Sequence, residues 1–260
     1  MQATERDIYT LSHNVGFPNK ERFHRHMNNK YEILYFVRGD AEYIIESSVY
    51  KLRPRDLLFI RPRTFHYLIP SSSATYERFV ANFSLSRIPS ELMDFAMNAR
   101  EIYRIPKGHT IDLMFENFIS AKRVMSGEEL EIFKRSYIEQ ILLFLKHLEA
   151  EDDVHPVRTN PTLDKILHYI DGHPEEKMTA ETFSARFFMS TSWITHTFKE
   201  TLGVSLMTYV NKKRVLYAQE LIRVGTAPTE AAKTCNFDSY VTFYRQYKKI
   251  LGHTPADDLQ

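Results

Sequence analysis

The C-terminal part of the sequence contains Thr179-Ala-Glu-Thr-Phe-Ser-Ala-Arg-Phe-Phe-Met189, which leads into Ser190-Thr-Ser-Trp-Ile-Thr-His-Thr-Phe-Lys199. A second stretch repeats this plan, with Thr229-Glu-Ala-Ala-Lys-Thr-Cys-Asn-Phe237 leading into Asp238-Ser-Tyr-Val-Thr-Phe-Tyr-Arg-Gln-Tyr-Lys-Lys249. Each copy reads as a helix, a tight turn and a second helix that ends in an aromatic residue and lysine. The near-duplication predicts an all-α C-terminal domain with two helix-turn-helix motifs.

Residues at the predicted helix starts support this interpretation. Thr179, Ser190 and Asp238 have side-chain oxygens that can accept hydrogen bonds from the free amides of a helix start. Pro228 stands at the start of the third helix, where a missing amide costs little. Asn236 occupies the expected left-handed position after that helix, a conformation that Asn tolerates better than most residues.

A long helix is predicted between the two motifs. Residues 209–222 place apolar side chains at helical spacing, among them Val210, Leu221 and Ile222. Such a helix sets the distance between the motifs. At a separation of about 34 Å, the two second helices enter successive major grooves on one face of DNA.

Many spaced positions from about residue 163 to 257 resemble the AraC family of transcription regulators. The matching residues are Phe198-Lys199-Glu200, Gly203, Tyr209, Arg214, Ala218, Leu221, Phe237, Phe243, Arg245, Tyr247-Lys248-Lys249 and Gly252-His-Thr-Pro255. The resemblance implies a DNA-binding unit with two reading helices, which acts with RNA polymerase at promoters and most often activates transcription. The sequence departs from the family at Ser184, at 228–232 and at Asn236. Ala231 buries less area than the usual Ile, so weaker packing is expected in the second motif.

The residues expected to read DNA are the outward ones early in each second helix, with lysines beside them for phosphates. The first-motif candidates are Thr191, Ser192, Thr195, His196 and Lys199, and the second-motif candidates are Tyr240, Val241, Thr242, Arg245, Lys248 and Lys249. Arg245 is the expected guanine contact, because a guanidinium can donate two hydrogen bonds to that base. Each lysine can equally be a solvated helix end.

Charge is concentrated in this region. The whole chain has a net charge of +1, but residues 182–255 contain ten Lys and Arg residues against four Asp and Glu residues. A locally basic segment is typical of nucleic-acid binding.

The sequence has no long apolar run and no secretory pattern at its start, so we expect no membrane partner and a cytoplasmic location. Cys235 is the only cysteine, which excludes an intrachain disulfide.

The N-terminal part predicts a small β-barrel of the cupin or jelly-roll kind. Short β-rich runs at residues 31–37, 41–45, 49–52 and 57–60 are separated by turn signals such as Arg38-Gly39-Asp40 and Pro54-Arg55-Asp56. Barrels of this size can enclose one small ligand. We expect the barrel to be a sensing domain.

The pattern His24-Arg25-His26, Glu32, Gly39 and Pro62-Arg63-Thr64-Phe65-His66 resembles the cupin-type effector domain of AraC-family regulators. The effector-binding candidates are His24, His26, Glu32, Tyr35, Arg38, Tyr43 and His66. Three imidazoles and one carboxylate are also a set that can hold a transition metal. Regulators of this family commonly keep such residues without metal, so from sequence we expect neither a metal nor a cofactor, and a small-molecule effector such as a sugar.

Two amphipathic helices are predicted over residues 110–125 and 128–148. The second contains the apolar run Ile141-Leu142-Leu143-Phe144-Leu145, which exceeds one packing stripe and indicates either closer packing on the barrel or a homodimer interface. An acidic stretch with two prolines then predicts a linker. We expect a barrel over 1–105, a helical dimerisation segment over 106–149, a linker over 150–160 and the DNA-binding domain over 161–260.

Together these features predict a non-enzymatic transcription regulator. Its expected partners are double-stranded promoter DNA, a small-molecule effector, RNA polymerase and a second copy of the chain. Two alternatives stay open at this point. One is a cupin metalloenzyme with an auxiliary helical domain, and the other is a DNA-binding dimer that responds to no effector.

Overall fold

The computed structural model describes residues 9–17, 25–149 and 155–259. The chain divides into two compact units, one comprising residues 1–45 and 49–158 and the other comprising residues 46–48 and 159–260. No helix within the described residues is long and apolar enough to cross a membrane.

The first unit is built on two antiparallel sheets. Its strands are β1 (Thr10–Gly16), β2 (Tyr31–Arg38), β3 (Ala41–Ile45), β4 (Ser48–Lys51), β5 (Asp56–Ile60), β6 (His66–Pro70), β7 (Tyr76–Phe83) and β8 (Ile102–Arg104). One sheet has the order β1-β7-β2-β5-β8 and the other the order β4-β3-β6. The four runs predicted as strands from their β-rich composition all lie in or overlap these strands, so this part of the prediction is confirmed.

Strand β2 separates two apolar cores, because successive side chains of a strand point to opposite faces. Leu34 and Phe36 face a core shared with Tyr43 and other residues of the three-stranded sheet. Ile33 and Tyr35 face a second core. Three helices cover that second core: α1 (Ser90–Asn98), α2 (Thr110–Val124) and α3 (Gly127–Lys146). The large sheet is therefore buried on both sides along β2.

The turn after β2 requires glycine. Gly39 has a φ of +130°, and a Cβ there would lie 2.9 Å from Cβ of Tyr76 and 3.2 Å from the ring of Phe36. A side chain at this position would meet both backbone strain and a direct clash. The predicted turn between the strands is therefore sterically fixed.

The apolar run near the end of α3 is divided between core and surface. Ile141, Leu142 and Leu145 are buried in the helix-covered core, whereas Leu143 and Phe144 are exposed. Packing on the first unit thus accounts for only part of the run.

The second unit is all helical, as predicted. Its elements are α4 (Pro161–Gly172), α5 (Ala180–Phe187), α6 (Thr191–Thr197), a wide helical turn (Phe198–Leu202), α7 (Leu206–Arg223), α8 (Pro228–Thr234), α9 (Tyr240–Leu251) and a 3₁₀ turn (Pro255–Asp258). Helices α5 and α6 form the first predicted motif, and α8 and α9 form the second. Helix α7 is the predicted connecting helix, extended by a few residues before its expected start.

The helix starts follow the predicted chemistry with one exception. Thr179 and Ser190 cap α5 and α6, and Pro228 lies in the first turn of α8. The cap of α9 is Ser239, whose hydroxyl accepts a hydrogen bond from the amide of Thr242 at 3.2 Å. The prediction of Asp238 as the cap was wrong by one residue, because both residues are good caps and sequence alone does not place the first helical turn between them.

A buried guanidinium joins the two motifs. Arg214 on α7 donates to the backbone carbonyl of Asn236, at the turn of the second motif, and to that of Glu176, which precedes the first motif. Asn236 has the predicted left-handed conformation, with a φ of 52°, and its side chain donates to the carbonyl of Glu175 at 2.7 Å. The left-handed turn is thereby tied to the loop before α5.

Asp258 forms a second buried polar centre. Its carboxylate accepts hydrogen bonds from Tyr247 at 2.7 Å, Gln219 at 3.0 Å and Arg223 at 3.1 Å. Burial raises the pKa of Asp258, but these donors and the charge of Arg223 more than offset it, so its pKa lies below the ordinary value. The centre links α7, α9 and the final turn.

We expect Asp258→Asn to lower the free energy of unfolding of the second unit by about 2 kcal/mol at pH 7, since it removes the charge from three hydrogen bonds. The contribution of Asp258 is fully present above its unfolded pKa, near 4, and is lost as the pH falls through the lower folded pKa. The difference between wild type and variant should therefore shrink below about pH 4.

Urea unfolding followed by the fluorescence of Trp193, the only tryptophan, measures this effect, because Trp193 lies in the second unit. Asp238→Asn, at an exposed position in the same unit, is the control and should change stability by less than about 0.5 kcal/mol. A difference that stays constant down to pH 2 would argue against this role of the carboxylate.

Candidate nucleic-acid interface and ligand site

One face of α9 is exposed along the whole helix. Tyr240, Val241, Tyr244 and Arg245 are exposed, whereas Phe243 on the opposite face is fully buried. The buried side anchors the helix in a core that also contains Cys235 and Tyr247. Helix α9 therefore packs on its own domain with one face and leaves the other exposed, as a recognition helix requires.

Tyr244 is a surface residue that the sequence reasoning missed. It is 37% exposed and follows Tyr240, which is 41% exposed, by four residues, with 6.4 Å between the two ring centroids. Residues four apart share a helix face. The spacing from Tyr240 was therefore the available signal. Thr242 is less free than expected, because its hydroxyl lies 3.0 Å from that of Ser239 at the helix cap.

In the first motif, Thr191, Ser192, Thr195 and His196 are all exposed on α6. The hydroxyl of Thr195 donates to the carbonyl of Thr191 at 3.0 Å, so the side chain has a methyl group and an acceptor, but no free donor, for a partner. His196 lies 3.3 Å from the carboxylate of Glu200 with both side chains well exposed, an arrangement that contributes little energy.

The predicted cations lie at the surface. Lys199, Arg245, Lys248 and Lys249 are exposed, and none of them forms an ion pair with another described residue. Cations without a carboxylate neighbour are available to phosphates and base edges. The aromatic residues Phe198, Phe243 and Tyr247 are buried.

A polar cluster lies at one end of β2 in the first unit. Glu32 is 5% exposed, and its Oε2 lies 3.6 Å from Nε2 of His66 and 3.9 Å from Nε2 of His26. The two imidazole rings are 4.1 Å apart between centroids. Tyr43 donates to the other carboxylate oxygen, Oε1, at 3.4 Å. Four of the seven predicted effector residues thus come together.

Backbone pairing fixes the two histidines. The amide of His26 donates to the carbonyl of His66 at 3.2 Å, and the amide of His66 donates to the carbonyl of His26 at 3.0 Å. In such an antiparallel pair the two side chains point to the same face. Nδ1 of His66 lies 2.8 Å from the carbonyl oxygen of Thr64, which can only accept, so Nδ1 is the protonated nitrogen.

The cluster holds a buried negative charge. Burial raises the pKa of Glu32, but the adjacent side chains of His26 and His66 more than offset burial, and the pKa of Glu32 lies well below its ordinary value. Burial and the Glu32 charge both raise the pKa of Tyr43, which therefore remains a neutral donor. The arrangement can accept a cation or a ligand with hydrogen-bond donors.

The remaining predicted effector residues do not join this cluster. Tyr35 is buried in the helix-covered core, where it stacks on Phe115 at 4.3 Å and donates to Asp112. Arg38 pairs with Glu77 at 2.8 Å on the surface. His24 lies outside the described residues.

Comparison with known proteins assigns both units. Residues 14–143 match the AraC-like ligand binding domain, and residues 183–260 match a helix-turn-helix domain. The chain belongs to the AraC family of transcription regulators. It therefore combines a ligand-binding domain with a helix-turn-helix DNA-binding domain.

Named relatives agree with this assignment at low identity. The arabinose operon regulatory protein of Salmonella typhimurium is 22% identical over 228 residues, covering 85% of this chain and 80% of that protein. The transcriptional regulator YdiP of Escherichia coli is 21% identical over 252 residues, covering 92% of this chain and 82% of that protein. A response regulatory protein of Staphylococcus epidermidis is 30% identical over 95 residues, and the match spans only 38% of its length. Among solved structures, ToxT from Vibrio cholerae matches with a TM-score of 0.42 at 12% identity, covering 96% of this chain and 97% of that one.

The cap of the second recognition helix provides a direct test of the structure. Ser239→Ala should lower the free energy of unfolding of the second unit by about 1 kcal/mol, because it leaves the Thr242 amide without its acceptor. Asp238→Ala is the matched control and should have a smaller effect. Urea titrations followed by Trp193 fluorescence compare the two variants. A larger loss of unfolding free energy for Asp238→Ala than for Ser239→Ala would identify Asp238, not Ser239, as the cap of α9.

Proposed function

We propose that this chain binds promoter DNA sequence-selectively through α6 and α9 and that a small molecule bound in the first unit controls it. The observation that carries this proposal is the exposed face of α9, where Arg245 stands among aromatic and aliphatic side chains, with Lys248 one turn further on. Base edges are recognised by such a guanidinium, and phosphates by the lysines that flank it. From its family we further propose that the chain activates transcription together with RNA polymerase. This activity would take place in the bacterial cytoplasm, where the DNA lies.

The effector is proposed to bind the first unit, with a sugar as one candidate. The named relatives include the arabinose operon regulatory protein of Salmonella typhimurium, whose operon is named for a sugar. Binding of an effector shifts DNA affinity only if the effector favours one conformation over another. An effector-independent DNA-binding dimer would differ in showing no ligand that raises the melting temperature.

The rival function is a metalloenzyme of the cupin kind. The cluster of His26, Glu32 and His66 is the observation in its favour, because two imidazoles and a carboxylate are a known catalytic ligand set. The helix-turn-helix match over 183–260 favours regulation instead, since an enzyme has no need of two exposed recognition helices. We therefore propose that the chain is not an enzyme.

Selective DNA binding tests the proposed function. Fluorescence anisotropy with promoter fragments from the flanking genome, across a salt series, should show tight binding that weakens steeply with salt. Arg245→Ala should reduce affinity for the selected site by about 10- to 100-fold and should leave binding to random DNA nearly unchanged. Lys249→Ala should weaken both kinds of binding and reduce the salt slope by about 0.9.

Lys122→Ala removes an exposed cation from α2 in the first unit and serves as the charge control. It should leave both affinities unchanged. Wild-type protein without selectivity for any fragment, with and without candidate small ligands, would refute the proposed function. Equal losses on selected and random DNA in Arg245→Ala would refute the base contact alone.

We further propose that α3 contributes to a homodimer interface. Ile132 and Leu143 are exposed, are three helical turns apart and share one face of α3. Leu143→Glu should shift the sedimentation coefficient from that of a dimer to that of a monomer and reduce affinity for paired half-sites. Ile69→Glu, at an exposed apolar position of β6, is the matched control. A wild-type protein that sediments as a monomer at micromolar concentration would contradict this interface.

A further inference from the structure

The geometry of the cluster on β2 points to a metal site. We propose that the first unit binds a divalent first-row transition-metal ion through Nε2 of His26, a carboxylate oxygen of Glu32 and Nε2 of His66. We infer that this metal ion is the effector, an inference that rests on the proposed function. It replaces the expectation from sequence that the histidines stay free of metal.

The three ligand atoms converge within coordinating range. They all lie within 4.8 Å of one another, and the carboxylate oxygen is 3.6 Å and 3.9 Å from the two nitrogens. Tetrahedral coordination with bonds near 2.1 Å places ligand atoms about 3.4 Å apart. Small side-chain rotations therefore close the site, and the two backbone hydrogen bonds between His26 and His66 hold the ligands near this geometry beforehand.

The buried nitrogen of His66 is the observation that calls for a cation. Its Nδ1 lies 2.8 Å from the carbonyl oxygen of Thr64, so Nε2 is the ring nitrogen that remains to face the cluster. Nε2 is buried, with 2% of the side chain exposed, and it has no hydrogen-bond partner among the described residues. A buried nitrogen that makes no hydrogen bond and lies 3.6 Å from a buried carboxylate oxygen leaves both groups without a close polar partner between them. A metal ion satisfies both groups at once.

The surroundings fit a metal better than a simple ion pair. The hydrogen bond from His66 to Thr64 and that from Tyr43 to Glu32 are the outer contacts that orient metal ligands. His26 is nearly half exposed, which gives an ion a path from solvent and leaves coordination positions open for water or a small chelating molecule. Imidazole nitrogens select zinc, iron, cobalt, nickel or copper over magnesium and calcium, which prefer oxygen ligands.

The test uses the full chain, freed of metal with a chelator and titrated with Co²⁺ and Zn²⁺. Co²⁺ should bind with a stoichiometry of one and give a visible absorption band, and Zn²⁺ should displace it and raise the melting temperature of the first unit. His66→Gln and the isosteric Glu32→Gln should each weaken Co²⁺ binding by more than about 100-fold. Near-UV circular dichroism checks that both variants fold.

His13→Gln is the matched control. His13 also contacts a glutamate, Glu77 at 2.8 Å, in the same unit, but lies outside the cluster of three possible ligands. It should bind Co²⁺ like the wild type. Absence of saturable one-to-one binding, or equal binding by wild type and the folded Glu32→Gln variant, would overturn the proposal in favour of an imidazolium–carboxylate pair.

DNA binding, measured with and without Zn²⁺, separates this inference from the function on which it rests. Selective DNA binding that changes by tenfold or more with Zn²⁺ in wild type, and does not change in Glu32→Gln, supports the ion as the effector. Selective DNA binding by a protein that binds no metal overturns the metal site and leaves the proposed function intact. Metal binding without any selective DNA binding overturns the proposed function.

Discussion

The second unit depends on one buried guanidinium. Arg214 lies in the middle of α7, the helix that connects the two motifs, and its hydrogen bonds reach the carbonyls of Asn236 and Glu176. A buried charge without partners costs several kcal/mol, so the turn of the second motif and the loop before the first must hold these positions. Recognition of two successive grooves requires two helices at a fixed separation. The same arginine that stabilises the unit therefore also limits how far the recognition helices can move apart.

Much of the second unit could be predicted from sequence, because its signals are local. The duplicated motif, the caps Thr179 and Ser190 and the left-handed Asn236 depend on a few neighbouring residues each. The prediction failed where two adjacent residues had equal local merit, at Asp238 and Ser239. It also missed Tyr244, whose spacing from Tyr240 indicates a shared face of α9. Which face of α9 is exposed depends on packing against α7 and α8, and that is a tertiary property.

The ligand cluster shows a different limit. The pattern of His26, Glu32 and His66 is recognisable in the sequence, and the structure brings these residues together although His26 and His66 are forty residues apart. Tyr35 and Arg38 are predicted as effector-binding residues from their chemical type alone. Alternation along β2 places Tyr35 on the face opposite to Glu32, since the two are an odd number of residues apart. Arg38 is an even number of residues from Glu32, as side chains on the same face of a strand are. It lies at the end of the strand, however, and pairs with Glu77 on the surface. Chemical type selected good candidates, and position along the strand decided which of them face a common site.

The two faces of β2 also bear on how regulators with this frame diversify. Positions 34 and 36, on the same side of the strand as Glu32, point toward the core shared with the three-stranded sheet, and positions 31, 33 and 35 point toward the helices. A substitution at an even position changes the side that carries Glu32 and leaves the side that packs on α1 to α3 in place, whereas an insertion within the strand would exchange the two sets at once. Point substitutions can therefore change one side of this single strand without rebuilding the helix-covered side.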